Sequence, residues 1–204
     1  MKISLTDAGK RFNRDWIFRH LDFNFEQTGS YAITGPNGSG KSTLLQVIAG
    51  ALQASEGHCL WTIQNGTVIE EPYPWISICA PYLELVEEMT LKEFLHFHHG
   101  FKKFLPGFDA DRIITVIGLE HASHKQIRYF SSGMKQRIKL AQAIFADVPA
   151  VLLDEPCTNL DAPGIELYKQ LVQDHCNNRL LVVSSNDEEE YLFCKEKINI
   201  MKYK

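Results

Sequence analysis

Apolar and polar side chains alternate in the first stretch of the chain, which is typical of half-buried antiparallel strands. The alternating apolar positions are Ile3, Leu5, Leu21, Phe23 and Phe25. Asn65-Gly66, a dipeptide that type I′ hairpin turns favour, lies between apolar stretches over residues 61–69. The pattern therefore predicts a small antiparallel sheet that contains a hairpin.

Further along the chain, short apolar runs alternate with segments of helical spacing. The run 31–34 leads into a glycine-rich loop and then an apolar helical stripe over 44–48, with Gly50 as the expected C-terminal cap. The continuous apolar runs 150–153 and 180–183 favour strands that are buried on both faces. Strands that alternate with helices predict an α/β core.

Residues from about 73 to 130 have helical character. Thr90 and Glu93 have the spacing of a capping box, and an apolar stripe follows in the same segment. We therefore predict one domain over 1–204. Its core, with the antiparallel sheet, takes about 1–72 and 131–204, and an inserted helical subdomain takes about 73–130.

Composition restricts the classes of function. The chain has 204 residues, of which 45% are apolar and 23% charged, and a net charge of −4 with a pI of about 6.1. This balance gives no basic footprint for a nucleic acid, so none is expected as a partner. No run approaches the roughly 18 apolar residues of a membrane span, and the five cysteines have no metal-binding spacing. A cytoplasmic chain with reduced thiols is expected.

The glycine-rich loop over 35–42 fits the pattern G-x-x-x-x-G-K-[ST] and lies between a predicted strand and a predicted helix. The residues expected to bind nucleotide are Gly35, Pro36, Asn37, Gly38, Ser39, Gly40, Lys41, Ser42 and Thr43. Lys41 is expected to reach the β- and γ-phosphates, Ser42 to bind Mg²⁺, and Thr43 to contact the α-phosphate side. Alone, this motif fits a kinase, a GTPase or a motor equally well.

Two carboxylates end the apolar strand over 151–153, which places them at the edge of the sheet where such folds bind ligands. Asp154 is expected to hold Mg²⁺, and Glu155 to polarise the water that attacks the γ-phosphate. The alternative is a charged strand end in contact with solvent.

Residues 130–137, Phe-Ser-Ser-Gly-Met-Lys-Gln-Arg, resemble the LSGGQ signature of the ATP-binding cassette (ABC) family. Asn159-Leu160-Asp161 is similar to the D-loop of that family, and all the motifs occur in the family's order. The resemblance implies a P-loop NTPase (RecA-like) core that hydrolyses ATP with Mg²⁺. It also implies a head-to-tail dimer in which Ser131 and Gly133 close on the ATP of the other subunit, and integral membrane partner subunits at the inner face of the cell membrane.

The chain departs from the family pattern at two positions. Asn186 falls where a switch histidine usually contacts the γ-phosphate, and Pro81, followed by Tyr82, falls where a glutamine usually senses Mg²⁺. Asparagine donates a hydrogen bond but carries no imidazolium charge, and proline has no side-chain donor. Phe12 is the expected adenine-stacking residue, and Trp16 is a second candidate.

Three functions remain open from the sequence. The first is an active transport ATPase, which is similar in size to exporter subunits of cytochrome maturation. The second is a degenerate regulatory cassette beside a catalytic partner, homodimer and heterodimer both being possible arrangements. The third is a soluble cassette protein that acts on ribosomes or DNA. The acidic run 187–190 is interpreted as a solvated helix start without a chemical role.

Overall fold

Two β-sheets, one antiparallel and one parallel, organise the chain in the computed structural model, which describes residues 1–63 and 65–204. The strands are β1 (Lys2–Phe12), β2 (Asp15–Phe25), β3 (Ser30–Thr34), β4 (Glu56–Thr62), β5 (Val68–Ile69), β6 (Ile76–Cys79), β7 (Ala150–Asp154), β8 (Leu180–Ser184) and β9 (Glu196–Asn199). The helices are α1 (Lys41–Ile48), α2 (Leu91–Phe101), α3 (Ala110–Val116), α4 (Ser132–Ile144) and α5 (Ala162–His175). The predicted α/β fold class is confirmed.

The antiparallel sheet has the strand order β2-β1-β4-β5. The predicted hairpin joins β4 to β5, and the N–H of Gly66, whose φ is 80°, donates to the carbonyl of Ile63 at 2.9 Å. The type I′ geometry at Asn65-Gly66 stays a prediction, because the turn includes Gln64. Gln64 itself lies outside the described residues.

The parallel sheet has the strand order β6-β7-β8-β3-β9. Every residue of β7 and β8 is buried, as the continuous apolar runs predict. Strand β6 lies inside the segment 73–130 that was predicted to be helical, and the first α-helix of that segment, α2, begins only at Leu91. Periodicity failed here because a strand of four residues is too short to be distinguished from a helical segment.

The two faces of the parallel sheet pack against different layers. Val151 and Leu153 belong to a hydrophobic cluster with α2, α3, α4 and α5, whereas Leu152 joins a cluster with α1 and the antiparallel sheet. The sheet is therefore the middle layer, and the inserted helices pack directly onto it. The predicted division into a core over about 1–72 and 131–204 and a helical subdomain over about 73–130 stays a prediction.

Local signals in the sequence place the helix ends correctly. Thr90 and Glu93 form the capping box of α2, and Ser131 caps α4. Gly50, with φ of 74°, follows α1, and the Ala51 N–H donates to the Gln46 carbonyl, as in a Schellman motif. Among the described residues, no helix combines the length and apolar character that a bilayer crossing requires.

Arg179, which is buried, joins the C-terminal ends of two helices. Its guanidinium donates to the carbonyls of Ile144, Ala146 and His175 at 2.5–3.0 Å. These carbonyls end α4 and α5, where a cation also interacts favourably with the helix dipoles. One side chain thus connects two helices, α4 and α5, that pack on the same face of the parallel sheet.

We expect Arg179→Leu to lower the free energy of unfolding by about 3 kcal/mol or more, because several buried hydrogen bonds lose their donor. Arg179→Lys is the control and should have an intermediate effect, since an ammonium keeps the charge but not the planar fork. Urea unfolding monitored by circular dichroism measures both variants. Equal midpoints for the wild type and Arg179→Leu would contradict the assigned role.

Candidate functional site

The candidate site lies at the carboxyl edge of the parallel sheet. The register aligns Ile33, Ser184 and Asp154 in one row across β3, β8 and β7. At the usual strand spacing this row places Ile33 and Asp154 about 10 Å apart. The glycine-rich loop starts two residues after Ile33, so the phosphate-binding loop and the two carboxylates project from the same edge.

The glycine-rich loop has a backbone conformation that favours glycine. Gly38 and Gly40 have φ values of 74° and 100°. A Cβ atom at Gly40 would lie 2.2 Å from the side chain of Ile17, so only glycine fits against β2. Gly40 is also the N-cap of α1 and has no side chain to cap the helix, so the first N–H groups of α1 point toward the loop without a side-chain acceptor within the described chain.

Lys41 lies inside this loop with only 4% of its surface exposed. Its ammonium donates to the carbonyls of Gly35 and Pro36 at 3.1 and 3.3 Å. A buried cation, free N–H groups and the positive end of a helix dipole therefore coincide, which is the arrangement that binds phosphate. The structure thus brings the predicted loop residues together as expected.

Four buried side-chain oxygens have no hydrogen-bond partner among the residues that the structure describes. They are the Oγ of Ser39, the Oγ of Ser184, the Oε2 of Glu190 and the Oδ1 of Asp154, whose residue is 1% exposed. A buried carboxylate oxygen without a partner is costly, and a cation would satisfy it. Asp154 together with the hydroxyl of Ser42, at the first turn of α1, is a suitable oxygen ligand set for Mg²⁺.

Glu155 adopts a backbone conformation that is rare for a residue with a side chain. Its φ is 44°, and its N–H donates to the carbonyl of Ser184 at 2.8 Å. Glu155 follows Asp154, the last residue of β7, and its side chain is half-buried. Strained backbone of this kind is held by the surrounding structure and concentrates at functional sites.

The signature-like segment starts α4 and is exposed. The Ser131 hydroxyl accepts from the N–H of Met134 at 3.2 Å, and a Cβ at Gly133 would lie 3.0 Å from the carbonyl of Asn159. In the described part of the chain no hydrogen bond or ion pair connects Ser131 or Gly133 with the glycine-rich loop. The structure therefore leaves these residues accessible to a different molecule.

The two departures from the family pattern lie in the expected loops. Asn186 is exposed directly after β8. Pro81 is exposed after β6, and its carbonyl accepts from Lys139 at 3.0 Å. Tyr82 follows Pro81 and is 46% exposed. Partial burial of its hydroxyl raises its pKa to about 12, with the charge of Asp154 contributing, and the Gln46 side chain lies within hydrogen-bonding reach.

The two candidates for adenine stacking differ in what already covers their rings. Phe12 is 47% exposed at the end of β1, with the Lys10 ammonium 5.3 Å from the ring centre. Trp16 is stacked under Arg19 at 4.1 Å and near Arg11 at 5.5 Å. Phe12 therefore has the more available ring face, and its contact with adenine stays a prediction.

Sequence reasoning missed two residues at this edge. Gln136 of α4 and Glu190 are 3% and 5% exposed. The interpretation of 187–190 as a solvated run is wrong for Glu190, because its carboxylate accepts from the N–H of Cys157 at 2.8 Å, and burial raises its pKa. The only available signal was the spacing of Gln136 within the signature-like segment. The acidic run itself gave none.

Comparison with known proteins points to one family. A family model described as "ABC transporter" matches residues 18–158. The cytochrome c biogenesis ATP-binding export protein CcmA of Xylella fastidiosa is 31% identical over 163 residues, which cover 80% of this chain and 73% of that protein. CcmA of Bartonella henselae is 28% identical and covers 100% of this chain and 96% of that protein.

Solved structures share the fold. A putative ABC transporter ATP-binding protein from Pyrococcus furiosus superposes with a TM-score of 0.83 at 19% identity, over 100% of this chain and 99% of that one. A dimeric ATP-binding cassette in a post-hydrolysis state with ADP and Pi superposes with a TM-score of 0.81 at 21% identity, over 97% and 94% of the two chains. The fold of the described residues is therefore that of an ATP-binding cassette.

We expect Gly40→Ala to weaken ATP binding at least about tenfold, because its Cβ has to displace Ile17 from beneath the loop and the backbone conformation is strained. Titration with a fluorescent ATP analogue measures the effect.

Gly38→Ala is the matched control, since its φ is also positive but a Cβ there meets no atom within 4 Å. It should weaken binding less than Gly40→Ala. Equal effects of the two variants would show that the contact with Ile17 has no part in shaping the loop.

Proposed function

Since the chain belongs to the ABC transporter family, we propose that it is the ATP-hydrolysing subunit of a transporter and works as a dimer beside membrane-spanning subunits. One observation carries the proposal: the buried Lys41 ammonium lies at one edge of the sheet with Glu155 and with the Asp154 carboxylate, whose Oδ1 has no partner in the described part of the chain. These are the parts that phosphoryl transfer from ATP to water requires.

Each residue has a role in this reaction. Lys41 and the N–H groups of the glycine-rich loop, to which Pro36 contributes none, hold the triphosphate. Ser42 and Asp154 would hold Mg²⁺, which would neutralise developing charge. Glu155 accepts the proton of the attacking water, and Asn186 donates a hydrogen bond to the γ-phosphate. Because the loop residues are fixed by packing before ATP binds, little reorganisation is needed during the reaction.

A second copy, or a related cassette, supplies Ser131 and Gly133 to this ATP. The exposed N-terminus of α4 and its lack of contact with the glycine-rich loop of the same chain support that arrangement. N–H groups at a helix N-terminus favour an anion. The dimeric cassette among the solved relatives supports the same mode of assembly.

We extend the proposal to export at the cytoplasmic face of the cell membrane. The support is the similarity to proteins named as cytochrome c biogenesis export proteins. The membrane subunits choose the transported substrate, so the cargo follows from those partners and not from residues in this chain.

A second candidate function is a regulatory cassette that binds ATP but hydrolyses it slowly. Two residues favour it. Asn186 does not supply the imidazolium charge of the histidine that the family usually has there, and Pro81 does not supply the side-chain amide of the usual glutamine. In this alternative a distinct catalytic cassette completes a heterodimer.

Glu155→Gln should abolish Mg-ATP hydrolysis while ATP binding persists, because an amide does not accept the proton of the attacking water. The variant should then accumulate as an ATP-bound dimer on size-exclusion chromatography. Steady-state phosphate release from the wild type is the control. A variant that remains monomeric at saturating Mg-ATP would count heavily against the dimeric ATPase.

Asn186→His distinguishes the two candidate functions. If the chain is an active ATPase, the wild type already turns over and the histidine changes its rate by less than about tenfold. If it is a regulatory cassette, the wild type binds ATP without turnover, and the added imidazole raises hydrolysis from background. Phosphate release at matched ATP occupancy separates the outcomes.

A further inference from the structure

The peptide group between Pro156 and Cys157 is held at both of its polar ends by buried side chains. The amide Nε2 of Gln136 donates to the Pro156 carbonyl at 2.7 Å. The Oε1 of Glu190 accepts from the Cys157 N–H at 2.8 Å. Both side chains have the required chemistry, since an amide donates to a carbonyl and a carboxylate accepts from an N–H. We name this arrangement the 156–157 clamp.

The two arms of the clamp come from distant elements. Gln136 lies in the second turn of α4, the helix that starts with the signature-like segment. Glu190 ends a short 3-10 turn after β8, four residues beyond Asn186, and its carbonyl accepts from the Tyr168 hydroxyl of α5 at 2.7 Å. The clamp therefore joins the signature helix to the segment that follows Asn186.

The clamped peptide group joins Pro156 to Cys157, so it begins one residue after Glu155. Glu155 has a φ of 44°, which a side chain disfavours, and its N–H is bound to the Ser184 carbonyl. A strained residue keeps its conformation only when its neighbours determine it. The Ser184 carbonyl fixes the chain before the Glu155 side chain, and the clamp fixes the chain after it.

We propose that Gln136 and Glu190 are positioning residues that hold Glu155 in its hydrolytic orientation and connect it to the signature helix and to the segment after Asn186. The proposal rests on the proposed ATPase function. Neither side chain touches ATP; both act through the backbone next to Glu155. When a partner binds the start of α4, a shift of that helix is transmitted through Gln136 to the backbone next to Glu155 and changes the position of its side chain.

Four variants test the clamp by steady-state ATPase kinetics: Glu190→Ala, Gln136→Ala, Glu190→Gln and Gln136→Met. The alanine variants should lower kcat about tenfold or more, because each removes one buried hydrogen bond next to the base. KM for ATP should stay within about twofold, since the phosphate-binding loop is untouched.

The conservative variants give an asymmetric result that a purely structural role does not produce. Glu190→Gln should retain most of kcat, because its amide oxygen still accepts from Cys157. Gln136→Met should resemble Gln136→Ala, because a thioether of similar length has no proton to donate to the Pro156 carbonyl. Glu189→Ala is the matched control: its side chain is exposed, pairs with Lys169 at 3.1 Å on the surface, and should leave kcat unchanged.

Hydrogen–deuterium exchange provides a readout besides turnover. The Cys157 N–H should exchange faster in Glu190→Ala than in the wild type, and at the wild-type rate in Glu189→Ala. The double variant Gln136→Ala/Glu190→Ala should lose less kcat than the two single losses multiplied together, because both act on one peptide group.

The outcomes separate the clamp from the proposed function. An active wild type with alanine variants of equal kcat overturns the clamp alone, as does a loss confined to ATP affinity. Loss of kcat in Glu190→Gln equal to that in Glu190→Ala also overturns it. A wild type that hydrolyses no ATP, alone or with partner subunits, overturns the proposed function, and the positioning role is then overturned with it.

Discussion

Parallel pairing of β3 and β7 on the two sides of β8 is the constraint on which the rest of the site depends. It brings the glycine-rich loop, the residues after Ser184 and the pair Asp154-Glu155 to one edge, although they are separated by more than a hundred residues of sequence. Both faces of β7 and β8 are apolar, so alternation of side chains does not fix the register. Packing of α1 on one face and of α4 and α5 on the other fixes it instead.

Buried charge is distributed unevenly around this edge. The Arg179 guanidinium is fully matched by backbone carbonyls, as expected of a charge that serves stability. Asp154 is 1% exposed, and its Oδ1 has no partner among the described residues, as is also true of the Oε2 of Glu190. Since an unmatched buried carboxylate oxygen opposes folding, the one at Asp154 supports the proposed cation site there.

The sequence predicted those parts that short contiguous segments determine. The glycine-rich loop, the capping box of α2 and the glycine after α1 each depend on residues within one or two turns. Strand β6 was mistaken for part of a helical segment because four residues are too few to show a period. Glu190 was mistaken for a solvated acid because its partner, Cys157, is 33 residues away. Contacts of that range leave no local pattern.

The geometry of the loop after β7 also bears on the departures at Asn186 and Pro81. Glu155 and Asn159 both have positive φ, and the Asn159 carbonyl lies 3.0 Å from where a Cβ of Gly133 would be. Several contacts therefore determine the conformation of this one loop. They are the hydrogen bonds from Gln136 and to Glu190 and the close approach of Gly133. An exposed side chain such as Asn186 can change without disturbing them. The orientation of Glu155 is thus determined by groups that the chain retains, which favours a hydrolysing cassette over a regulatory one.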